Sequence, residues 1–129
     1  MPMMVRIEKM PRDIPQDPDY RMPIKSRRQL KKEGYTFDVV KIPAQVVFGE
    51  FENLAPKDTG SDLETRGRLV TNRHSMKQHD LRPNDFFIQM FVDGKWRDVE
   101  FRIFAAIPSS QDTGGFKHYF LYFADDPRP

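Results

Sequence analysis

No other stretch narrows the folds open to this chain as much as Arg97–Ile103, which follows the pair Asp93-Gly94. Charged and apolar residues alternate there. A strand would send Val99, Phe101 and Ile103 to one face and Asp98, Glu100 and Arg102 to the other. Phe86 to Val92 also has strand composition, and an Asp-Gly link between two such runs is the strongest short-range signal of a hairpin. The chain is therefore read as a small antiparallel β protein with a hairpin over 86–107.

Further strand candidates lie on either side. Tyr35 to Ile42 is one, closed by Pro43. Gln45 to Leu54 is another, with Val46 and Phe48 on one side, Val47 and Phe51 on the other, and Gly49 marking a bulge or bend. Arg66 to His74 and Phe116 to Ala124 complete the set. Ser75 to Asp85 is rich in turn formers, and Arg82-Pro83-Asn84-Asp85 suits a type I turn because proline pre-sets its second position. The polar stretch 55–61 and the run Ser109–Gly115 read as loops. Five or six short strands with little helix predict a mainly β fold, a small antiparallel barrel or sandwich.

Residues 1–28 carry Pro2, Pro11, Pro15, Pro18 and Pro23, so an extended or irregular Pro-rich basic arm is expected rather than an independent unit. Ser26 to Glu33 suits a short helical turn, capped by Ser26 and stopped by Gly34. Residues 1–33 hold nine basic and five acidic side chains, and the remainder twelve and fourteen. A basic arm on a mildly acidic body implies a partner for the arm, the other reading being a solvated basic face. The division expected is an arm over 1–34, a β domain over 35–124 and a tail over 125–129.

Composition limits the function classes. A chain of 129 residues supports one domain, and its eleven phenylalanines supply a core although only 38% of residues are hydrophobic. With no cysteine there is no disulfide framework, thiol nucleophile or thiolate metal site. No apolar run has the length of a membrane span, and no apolar secretory core follows Met1, so a soluble, non-secreted chain is expected.

Candidate chemistry is sparse. His74 and His79 with Asp80 lack a specified third ligand, and turn residues explain them. Ser109, Ser110, Asp112 and His118 are near in sequence without the elbow or oxyanion hole that acyl transfer requires. Asp98 and Glu100 flank Arg102 on one strand face as a charge ladder, and Gly114-Gly115 needs only a turn. No enzymatic activity, cofactor or metal is expected. The aromatic run 116–123 is apolar on both faces, which fits a strand buried on two sides better than a base-stacking platform. Trp96 and Phe104 lie among charges, where aromatics mark either a contact surface or a patch covered by the arm or loop.

The order of these parts resembles the head-completion proteins of long-tailed bacteriophages, the stopper or head-closure components of the head-to-tail connector. The resemblance rests on Val46–Leu54 with its polar excursion to Asp62-Leu63-Glu64, on Arg68–His74, on Leu81–Phe86, on Asp93–Trp96 and on strand 99–107. It implies a virion subunit made in the host cytoplasm. Such a subunit forms a homo-oligomeric ring at the head-tail junction and meets portal or adaptor and tail proteins. It faces packaged DNA without sequence-specific binding, and no membrane is involved. Arg21, Lys25, Arg27, Arg28, Lys31 and Lys32 are the expected partner contacts, and Asp58, Asp62 and Glu64 the channel-loop candidates. A single-stranded nucleic-acid-binding barrel using Tyr119, Tyr122 and Trp96, and a tail-terminator or minor tail subunit, are the alternatives.

Overall fold

Alternating inward-facing apolar residues close the chain into a barrel. The structure, a computed structural model, describes residues 2–19, 22–49, 65–109 and 118–126. Along it run β1 (Met3–Lys9), β2 (Gln16–Asp17), β3 (Met22–Pro23), α1 (Arg27–Lys32), β4 (Asp38–Phe48), β5 (Thr65–Asn72), α2 (Arg73–His79), β6 (Phe86–Val92), β7 (Lys95–Pro108) and β8 (His118–Ala124). Six of the strands form a closed antiparallel barrel in the order β1-β4-β5-β8-β7-β6, and β2 pairs with β3 in a separate two-stranded sheet. The mainly β expectation holds, in its barrel form.

The Asp-Gly hairpin forms as the sequence predicts. Asp93 and Gly94 take φ of 53° and 75°, the two left-handed conformations of a type I′ turn, whose twist matches that of the flanking strands. Val99, Phe101 and Ile103 face the interior with Val5, Ile7, Ile42, Leu69, Phe87, Leu121 and Phe123. A register shift between Ile103 and Ala105 turns Phe104 outward, where it is buried with Ala105, Tyr122 and Ala124. Strand β8 is thus apolar on both faces because both are packed: Leu121 and Phe123 inside, Tyr122 outside.

The barrel also takes in residues before 35. Met3–Lys9, expected within an extended arm, is a stave of the barrel, paired with β4 from Met3↔Ala44 to Lys9↔Asp38 and with β6 from Val5↔Met90 to Glu8↔Phe86. Met3, Val5 and Ile7 supply the inward apolar period, while Arg6 and Glu8 point out. That alternation was masked by the prolines that follow it. Nor does Pro43 close a strand, since β4 runs through it unbroken. Its carbonyl accepts from the Thr71 hydroxyl at 2.9 Å and so faces β5. The ring nitrogen faces the same way, beyond the β4–β5 ladder that begins at Gln45↔Val70, and no ladder hydrogen bond is lost.

Residues 73–79, expected as strand end and turn, form helix α2. Asn72 caps it, its side-chain oxygen accepting from Ser75 N at 2.7 Å, and Asp80 ends it in the left-handed conformation at φ 51°. Met76 of α2 and Leu81 beyond it join the barrel interior. The 82–85 turn forms with Asp85 N on Arg82 O, but Asn84 has φ 79°, which makes it type II rather than type I. In the barrel, Phe48, Phe87, Phe101 and Phe123 pack ring to ring at centroid distances of 4.7–6.3 Å. Phe48 ends this group half exposed.

Asp85, fully buried, ties the N-terminal segment to β6. Its carboxylate accepts from Met10 N and Arg82 N, each at 2.9 Å, and from both terminal nitrogens of Arg12 at 2.6 and 3.1 Å. Asp85→Ala leaves those donors without their acceptor, so chemical denaturation should show a loss of roughly 3–5 kcal/mol. Gly67 lies under the Phe123 ring, where an added Cβ would stand 2.7 Å from Cζ and clash with the Val47 carbonyl. Gly67→Ala should therefore cost about 1–3 kcal/mol in the same measurement.

Candidate functional site

The basic run forms the helical turn that the sequence predicts. Ser26 Oγ accepts from Gln29 N at 3.2 Å, and Gly34 follows the helix at φ 92°. Leu30 is buried on its inner side with Met10, Ile14 and Phe86, with Phe37 and Ile88 packed around them. This second core, outside the barrel, holds α1 against β1 and β6.

Three of the expected contact residues are engaged within the chain. Arg27 Nε donates to Glu8 at 2.7 Å, another of its nitrogens donates to Glu100 at 3.0 Å, and its guanidinium carbon stands 4.8 Å from the Phe86 ring centre. Lys31 Nζ lies 2.9 Å from Glu8 Oε1 and 5.3 Å from the Phe37 ring centre. Lys25 pairs with Glu33. Arg28 and Lys32 are exposed, with no ion pair among the described residues. Arg21, Asp58, Asp62 and Glu64 lie outside the described residues.

Glu8 is the charge around which α1 docks. Burial by itself would raise its carboxyl, but hydrogen bonds from Arg27 and Lys31, with their positive charge, hold it below the ordinary glutamate value of 4.5. Lys25 is raised by its bond to Glu33, and Asp80 is lowered by Arg82, which donates to it across the surface. Glu100 therefore answers Arg27 rather than forming a ladder with Arg102, which is buried and donates to Asn84 at 3.0 Å.

The other candidates stay apart. His74 and His79 occupy opposite ends of α2, and no group of three or more His, Asp or Glu able to hold a metal occurs among the described residues. Ser109 is buried and meets His118 only through the backbone, its N–H donating to the His118 carbonyl at 2.9 Å, while Ser110 and Asp112 lie outside the described residues. Of the rings a nucleic-acid barrel would use, Tyr122 is buried and Tyr119 packs against the interior.

Trp96 is different. It packs edge-on to the exposed Phe91 with ring centroids 5.2 Å apart, and the Arg6 guanidinium lies 3.9 Å above its ring. Arg6 also donates to Gln89 at 2.8 Å, and Gln89 donates in turn to Asp98 at 2.8 Å. The sequence marked Trp96 as an aromatic among charges, but only the pairing of β1 with β6 brings Arg6 to it. No family model, curated protein or solved structure matches the chain.

The Glu8 pairing has a pH signature. Because its carboxyl titrates below the ordinary value when folded, the pairing stabilises the fold above that value and is lost as pH falls through the lowered one. Glu8→Gln should cost about 2 kcal/mol in urea unfolding at pH 7. The gap to the parent protein should narrow steadily below about pH 4.

Proposed function

We propose that this chain is a structural subunit of a virion head-to-tail connector, of the stopper or head-closure kind. It forms a ring with like copies, docks on a portal or adaptor, and supports tail attachment and retention of packaged DNA. The observation that carries this reading is the disposition of charge on α1. Arg27 and Lys31 fasten the helix to Glu8, and this leaves Arg28 and Lys32 facing outward from the barrel flank. A folded cationic helix suits contact with an acidic neighbour, since its backbone is already ordered before binding. The resemblance in the order of the strands, from Val46 to Ile107, supports the same class.

The test uses the chain, affinity-tagged, in cells producing the particles. It should be recovered in DNA-filled particles at a fixed copy number. Arg28→Glu with Lys32→Glu should lower incorporation by about tenfold or more, with thermal unfolding unchanged. Recovery only as free protein would overturn the reading, and undiminished incorporation of the variant would remove α1 from it.

A further inference from the structure

A strip of the barrel's outer face is left uncovered between its packed regions. Met4 of β1, Phe91 of β6 and Trp96 of β7 form an apolar row across three neighbouring strands. Phe91 pairs with Trp96, and Met4 adjoins Phe91 one step beyond the pair Val5↔Met90. Beside it runs a polar row, Arg6–Gln89–Asp98, joined by register and by hydrogen bonds. The next step along the strands, at Glu8 and Phe86, is already covered by α1. Phe91 is 40% exposed.

Two properties of the strip define what fits it. First, Arg6 crosses it. Arg6 and Trp96 stand two strands apart, about 10 Å at ordinary strand spacing, yet the guanidinium reaches over the indole. Second, its polar row is charged oppositely at its two ends, with Arg6 positive, Gln89 neutral in the middle and Asp98 negative. A row of this kind is complementary to itself reversed.

We propose that the strip binds a second copy of this chain about a two-fold axis lying along β6. That operation sets Arg6 of each copy opposite Asp98 of the other, Gln89 opposite Gln89, Phe91 opposite Phe91 and Met4 opposite Trp96. The charges pair, Phe91 meets Phe91 across the axis, and the thioether reaches the rim of an indole whose face Arg6 of the same copy covers. The contact is isologous and closes on itself, so it is separate from the head-to-tail contacts of a ring. The strip is smaller than a standard interface, so the association is weak and appears at high protein concentration.

Sedimentation equilibrium from low micromolar to about 1 mM, a range that reaches interactions of only ~4 kcal/mol, should show a monomer–dimer equilibrium. Phe91→Ser, Arg6→Glu and Asp98→Lys should each weaken it about tenfold or more. An equimolar mixture of Arg6→Glu and Asp98→Lys proteins should dimerise again, because both cross-contacts then join opposite charges. Circular dichroism of each variant verifies the barrel, and Asp98→Lys alters only an exposed side chain. Purely monomeric behaviour across the range would overturn the proposal. So would dimers indifferent to the variants, or no recovery in the mixture. Salt-sensitive binding of a single-stranded oligonucleotide at Trp96 by a monomeric protein would overturn it too, in favour of a nucleic-acid surface.

Discussion

Everything else in this fold depends on a carboxylate that water does not reach. Asp85 stands where the chain enters β6, and its acceptors are taken by Met10 N, Arg82 N and the fork of Arg12. Desolvating a carboxylate costs several kcal/mol, which only a full set of donors offsets. Those donors come from the end of β1, the segment after it and the turn before β6. The charge is satisfied only when the N-terminal strand lies in its place, and with β1 in place the sheet closes, since it is the stave between β4 and β6.

Closure decides what the outer surface is for. β1 gives its inward residues to the interior and presents Glu8 outward, where Arg27 and Lys31 converge on it. Leu30 then completes an outer core with Met10, Ile14 and Phe86. The basic run is thus two populations on one helix, an inner pair that neutralises Glu8 and an outer pair that faces solvent. The net positive charge of the N-terminal third overstates what a partner would meet.

How far the sequence could be read follows from the range of the interactions involved. Local signals were legible: the Asp-Gly hairpin, the Ser26 cap and the alternation of Val99, Phe101 and Ile103 depend on residues within a turn or two of each other. Asn72 and Asp80, the cap and stop of α2, are equally local, but His-rich polar composition between them resembles a loop. What stayed hidden is long-range. Arg12 finds Asp85 across 73 positions, and Arg27 finds Glu100 across the same separation. The period of β1 spans only seven residues amid prolines, too brief to outweigh them. The candidate site was legible in residue type and not in allegiance, because a lysine bound for Glu8 and one bound for solvent look the same in sequence.

A closed barrel also restricts how such a protein can join others. Its six strands each have a hydrogen-bonded neighbour on either side, so the wall is continuous and contact with it is made mainly through side-chain faces. Two such faces stand out among the described residues, the outer side of α1 with Arg28 and Lys32 and the strip around Trp96. They differ in symmetry. The outer pair Arg28 and Lys32 carries one sign of charge and repels its own image. The Trp96 strip carries both signs in reversible order and accepts its own image. On the proposed reading, an unlike neighbour on one flank and a like copy on another would not compete, because the two faces lie apart on the barrel and differ in the symmetry of their charge.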